Sequence, residues 1–159
     1  MHTQMHIHNH PRLSAVVPAL CVFVGGAIGT ALRTALSLLQ PTNFAWPWVT
    51  FIVNSLGALL LGFLLEYLSR TGKDEGCRKL FRLFAGTGVM GGFTTYGTFI
   101  LEVDSRVIGT HVALGIGYAV VSILLGVILA GAGIVLADAV TARKIATNAR
   151  TAAQDEEEK

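Results

Sequence analysis

Gly91-Gly92-Phe93-Thr94-Thr95-Tyr96-Gly97-Thr98-Phe99 lies inside the third of four apolar stretches of this chain. An uninterrupted lipid-facing helix has no use for paired glycines followed by paired threonines. The run reads as a break in a membrane helix. Irregular backbone at bilayer depth must turn its freed carbonyl and N–H groups toward protein, an ion or water, because lipid offers them no partner. The break therefore marks a candidate ion site.

Working outward, the membrane setting follows from composition. The chain has 159 residues, 52% of them hydrophobic, and a mean hydropathy of +0.59, too apolar for a soluble domain of this length. A spanning helix needs about 20 mainly apolar residues. Val16 to Leu39, Trp48 to Leu68, Leu83 to Leu101 and Val107 to Ala137 each supply that, and Gln40-Pro41-Thr42-Asn43 supplies the first turn. The first stretch is too long for a cleaved secretory signal and runs on through Arg33. The predicted class is an all-α membrane protein of four transmembrane helices, with a break in the third. Residues 15–137 form the transmembrane domain, between a disordered histidine-containing tail at 1–14 and a polar tail at 138–159.

Charge orients the bundle. Arg12 precedes the first span, Arg70, Lys73, Arg78, Lys79 and Arg82 fill the second connection, and Arg143, Lys144, Arg150 and Lys159 follow the fourth. The opposite side has only Arg106, with Arg33 toward the end of the first span. Both termini are therefore expected in the cytoplasm of a plasma-membrane protein. The net charge of +2 reflects this topology, since the basic residues are dispersed, and no nucleic-acid partner is expected. Cys21 lies inside the first span and Cys77 in a polar connection, so they are expected as free thiols. His2, His6, His8 and His10 fall in the N-terminal tail, and residues 141–153 are placed to continue the fourth helix into the cytoplasm.

Glycine spacing accounts for how such helices meet. Gly25 and Gly29 form a small-residue pair in the first span, and the fourth carries Gly115, Gly117, Gly126, Gly131 and Gly133; in lipid, small residues let backbones approach and gain dispersion contacts. The ionisable residues in or near the spans, Arg33, Glu66, Glu102 and His111, sit toward span ends. The mid-span polar set is neutral: Thr50, Asn54, Ser55, Thr94, Thr95, Tyr96, Thr98 and Ser122. Hydroxyls and a carboxamide donate hydrogen bonds to an anion without carrying charge. Ser37, Ser69 and Ser55 are expected to bond carbonyls of their own helix. Asn54 is different, because an unsatisfied amide in a membrane interior is costly: it bridges helices or contacts the permeant species. Tyr96 and Phe99 read either as core or as aromatic edges turned toward an anion.

Three motifs in order, Gly25-Gly26-Ala27-Ile28-Gly29-Thr30-Ala31-Leu32-Arg33, Val53-Asn54-Ser55-Leu56-Gly57 and the Gly91–Phe99 run, resemble the CrcB/Fluc family of fluoride channels. The resemblance implies a fluoride-selective channel subunit, not an enzyme, that exports cytoplasmic fluoride passively through narrow pores. It implies an antiparallel dimer, with a structural sodium ion at its centre held by the backbone carbonyls of Gly91 and Thr94. By the same matching, Tyr96 and Phe99 are the pore aromatics, Asn54 is the pore amide, and Thr50, Thr95, Tyr118 and Ser122 are further pore or fluoride-binding groups. Arg33 stands near a pore entrance, and Glu102 is the acid that follows the third-span motif.

Two features depart from the family pattern: Tyr96 stands where phenylalanine is usual, and Gly97 where a small hydroxyl residue is usual. The one-sided charge also favours a single orientation in the membrane, so the second antiparallel subunit is expected to be an oppositely oriented paralogue, with a homodimer as the alternative. The alternatives are a small multidrug-type cation exporter, which would need an intramembrane carboxylate in the first span, and a non-conducting membrane assembly protein, which would not need the Thr94-Thr95 break.

Overall fold

The computed structural model describes residues 11–40, 46–109 and 111–157, all helical or in short connections. The turn residues 41–43 and the tail histidines lie outside the described residues. Helix α1 spans Pro11–Ser37, α2 Trp48–Thr71 and α3 Gly76–Arg82; α3 runs on as a π-helical stretch, Leu83–Met90, into the single turn α4, Gly91–Phe93. Thr94 and Thr95 are extended, after which α5 covers Tyr96–Ile108 and α6 Val112–Glu157.

Three of these helices are long and apolar enough to cross a membrane: Ala15–Ser37, Trp48–Thr71 and Val112–Asn148, with mean hydropathies of 2.1, 2.0 and 2.7. The chain is a multi-pass membrane protein. Its exterior fits that reading, since Phe23, Leu101, Val127 and Val135 are largely exposed while Val53, Phe93, Tyr118 and Ala137 are buried. A soluble protein would not leave so much apolar surface uncovered.

The boundaries shift from those read in the sequence. Helix α1 already starts at Pro11, Val107 and Ile108 end α5 instead of opening the last helix, and α6 continues through 46 residues to Glu157. At 1.5 Å per residue α6 is roughly 70 Å long, about twice the hydrocarbon thickness. The polar segment after residue 137 is therefore largely a helical extension, begun by the buried Thr141, whose hydroxyl donates to the Ala137 carbonyl at 2.8 Å.

The two largest packing pairs are α1 against the π-helical stretch and α4, and α2 against α6, with α5 also lying along α6. In both, backbone meets backbone through glycine. A Cβ built on Gly29 would stand 2.1 Å from the Val89 carbonyl oxygen, and one on Gly133 would stand 2.2 Å from that of Leu59. At the end of α2, Arg70 pairs with Glu66 at 2.5 Å and with Asp138 of α6. Cys21 and Cys77 are unpaired. Ser37 and Ser69 spend their hydroxyls on the Thr34 and Glu66 carbonyls, three residues back.

Candidate functional site

The centre of the site is the two-residue gap between α4 and α5. Asn54, on α2, closes onto it with both ends of its amide: Nδ2 donates to the Thr95 carbonyl at 3.0 Å, and Oδ1 accepts from the Thr95 N–H at 2.8 Å. Only one orientation of the amide satisfies both bonds. Between the two readings left open for Asn54, the structure shows the bridge, with one amide hydrogen and one carbonyl lone pair still available.

The same geometry explains the break electrically. In a continuous helix the Thr95 N–H would fill the Gly91 carbonyl and the Thr98 N–H that of Thr94. Here the first donates to Asn54 and the second to the Thr95 hydroxyl, at 3.2 Å. The carbonyls of Gly91 and Thr94 thus lose their helical donors. Neighbouring carbonyls are used: Met90 accepts from the Thr94 N–H at 3.0 Å and its hydroxyl at 2.9 Å, and Gly92 accepts from Arg33 Nε at 3.2 Å and from the Thr30 hydroxyl at 3.5 Å. Two oxygens freed on one turn are the donor set a hard cation takes.

Asn54, Thr94, Thr95, Tyr96 and Phe99 line an open cavity of about 280 Å³ on the surface of the subunit. Tyr96 is 78% exposed there, so on a single subunit it is neither core nor plug. Arg33 lines a second cavity of about 170 Å³ with Ser37, Thr50, Thr95 and Thr98. Thr95 Oγ1 donates to Thr98 Oγ1 at 3.1 Å, which commits the Thr95 hydroxyl to capping α5 and leaves the Thr98 proton free.

A second cluster gathers around Glu102. Thr50 on α2 donates to Glu102 Oε1 at 2.7 Å, and Tyr118 on α6 donates to Oε2 at 2.9 Å. Thr50 and Tyr118 are buried. Arg106 donates to the Glu102 carbonyl at 2.7 Å and sits over the Tyr118 ring, 5.9 Å from its centroid. The Tyr118 ring contacts Phe99 at 5.3 Å and meets Trp46 edge-on at 5.2 Å. One turn along α6, Ser122 Oγ is buried and finds no hydrogen bond of good geometry among the described residues.

Thr50, Tyr118 and Ser122 were expected as pore groups and Glu102 as the acid that follows the third-span motif, near a span end. The structure adds their connection: Glu102 bonds Thr50 and Tyr118 and so ties α2, α5 and α6 together. Trp46, half-buried and edge-on to Tyr118, belongs to the same aromatic file. A local signal for Glu102 did exist: it lies four residues before Arg106 on a helix whose other face is apolar.

Comparison with known proteins supplies the context. Residues 20–134 match the family described as CrcB-like protein, Camphor Resistance (CrcB). The chain is 46% identical over 138 residues to a fluoride-specific ion channel, FluC 2, of Leifsonia xyli, covering 87% of this chain and 92% of that one. It is 40% identical over 110 residues to FluC 1 of Cutibacterium acnes, covering 69% and 77%. With FluC of Hyphomonas neptunium the identity is 44% over 111 residues, covering 68% and 85%.

Proposed function

Because this chain belongs to the CrcB family, we propose that it is a subunit of a fluoride-specific channel that lets cytoplasmic fluoride leave the cell down its electrochemical gradient. Fluoride enters as neutral HF from acidic surroundings and dissociates in the more neutral cytoplasm, so a passive exit suffices and no enzymatic step is needed. The observation that carries the reading is the file of neutral donors and ring edges within a lipid-facing bundle. It runs from the Asn54-clasped break, past Phe99, to Tyr118 and the buried Ser122 hydroxyl one turn along α6. Such donors replace the hydration shell of a small anion, and a narrow path excludes a larger one. Arg33, half-buried beside the hydroxyl-lined cavity, raises the local potential for anions.

The finer architecture belongs to the same proposal. The segment from Gly76 to Ile108 acts as the third of four spans, the broken one, and both termini face the cytoplasm. Two subunits pack antiparallel and bury the open face at Tyr96, completing two pores. Gly91 and Thr94 hold a structural sodium ion through their carbonyls; when bound, it supplies fixed positive charge near the anion path. The charge bias of the loops favours an oppositely oriented paralogue as partner. A cation exporter is disfavoured by a first span without a carboxylate, and a purely structural role by the clasped break.

The test is fluoride efflux from liposomes holding this chain alone, with chloride as control. Fluoride-selective efflux that falls in Asn54→Ala establishes conduction by a homodimer. Silence from folded protein, relieved by a co-reconstituted paralogue, establishes the heteromer; silence relieved by Tyr96→Phe establishes a phenol-closed pore.

A further inference from the structure

Away from the conducting site, the end of α2 and the start of α3 enclose a cavity of about 150 Å³ lined by Leu65, Leu68, Ser69, Asp74, Arg78 and Arg82. Its position is set by sequence. Helix α2 is without charge through Leu65 and carries Glu66, Ser69 and Arg70 in its last turns, so Leu65 and Leu68 sit at the hydrocarbon edge and the arginines at headgroup level. Gly72, at φ 148°, turns the chain back through a conformation open to glycine alone. That turn brings Arg78 over the end of α2, where its Nη2 donates to the Leu68 carbonyl at 2.5 Å and to the Thr71 hydroxyl at 2.9 Å. Arg78 Nε stays buried without an acceptor among the described residues.

Arg82 is aimed by Asp74, with Nε on Oδ1 at 3.0 Å and Nη2 on Oδ2 at 2.8 Å, which leaves Nη1 without a hydrogen bond among the described residues. Two guanidinium groups and one carboxylate leave the cavity with one net positive charge. An apolar floor beneath a singly positive mouth at the membrane surface matches one ligand chemistry, a phosphodiester monoanion joined to an apolar tail. We propose that this cavity binds the phosphodiester headgroup of an anionic lipid, through Arg78 and Arg82. The Asp74 carboxylate selects against more highly charged phosphates, since a dianion would meet uncompensated repulsion. The site acts independently of conduction.

Native mass spectrometry of the full chain in detergent, titrated with phosphatidylglycerol, tests this. Arg82→Gln is expected to weaken lipid retention about tenfold, the loss of one charge-assisted phosphate contact. Arg82→Lys, which keeps the charge, retains most binding. Lys79→Gln removes an exposed charge outside the cavity and is expected to change retention by no more than about twofold. Equal weakening by Lys79→Gln and Arg82→Gln, or no effect of Arg82→Gln in protein that remains monodisperse and folded, overturns the proposal. Inorganic phosphate is the competing source: failure of millimolar phosphate to displace the lipid supports the headgroup, and displacement that requires Arg82 overturns the lipid assignment in favour of free phosphate.

Discussion

Asn54 and Thr95 exchange a pair of hydrogen bonds, 3.0 and 2.8 Å long, across 41 residues of sequence. This is the pairing a residue of one β-strand makes with its neighbour, performed here by one side chain on the backbone of one residue. It keeps the break open, because the Thr95 N–H that would rebuild the helix is held by the amide.

Asn54→Ala removes both bonds and leaves a peptide N–H and carbonyl unpaired in a low-dielectric setting. Each orphaned group costs about 1–3 kcal/mol. The expected outcome is a lower unfolding midpoint in detergent together with fluoride efflux reduced by about tenfold or more. Asn54→Asp keeps an acceptor for the N–H but loses the donor to the carbonyl and adds charge, and is expected to recover neither property fully. Unchanged efflux in Asn54→Ala would remove the clasp from the mechanism.

The Glu102 cluster predicts coupling. Tyr118→Phe leaves one carboxylate oxygen without its donor, and Thr50→Val strips the other. Each alone is expected to destabilise by about 1–3 kcal/mol. In a Glu102→Gln background the Tyr118→Phe effect should shrink by about 0.5–3 kcal/mol, as expected for groups in one network. A double-mutant cycle on thermal unfolding, run alongside efflux, measures it; strict additivity would mean that Tyr118 and Glu102 do not act together.

How much of this was readable beforehand depends on how far apart the cooperating residues lie. Gly91-Gly92 and Thr94-Thr95 announce a break because their chemistry is local: flexible backbone, then β-branched hydroxyls that bond back or cap forward. Asn54 was legible as a bridging or permeant-contacting amide because burial of an unsatisfied carboxamide is costly anywhere in the span. Glu102 was not legible as a hub. Its donors are 52 and 16 residues away, and no periodicity links them. The helical extension of α6 was half-legible, since alanine and charged residues after 141 favour helix without fixing its end. The freed carbonyls of Gly91 and Thr94 came first from a resemblance; only the structure supplies the reason, two N–H groups diverted to side chains.

Glycine positions separate packing from permissiveness. Gly29→Ala drives a Cβ to 2.1 Å from the Val89 oxygen and 2.7 Å from the Phe93 nitrogen, all backbone that cannot step aside. It is expected to cost at least the 1–3 kcal/mol or so of overpacking and to lower the yield of monodisperse protein sharply. Gly97 has open space where a Cβ would stand, so Gly97→Ser should leave folding within about 0.5 kcal/mol. Size-exclusion profiles and unfolding midpoints compare the two; equal damage from both would contradict the packing described.

The Asp74–Arg82 pair sets a pH dependence outside the membrane. The hydrogen-bonded Arg82 guanidinium holds the Asp74 carboxyl below its usual range, against a smaller opposing effect of burial, with Lys79 and Arg78 adding to the depression. A carboxyl whose folded pKa lies below its unfolded value of about 3.9 binds fewer protons in the folded state. Its contribution to stability is therefore present above that value and is lost as pH falls through the folded pKa. The pair is exposed, so the contribution is small. Wild type should unfold at a slightly higher temperature than Asp74→Asn at neutral pH, and the gap should close as the pH is taken below about 4. A gap that stays constant across that range would show that the carboxylate charge plays no part in holding the α2–α3 connection.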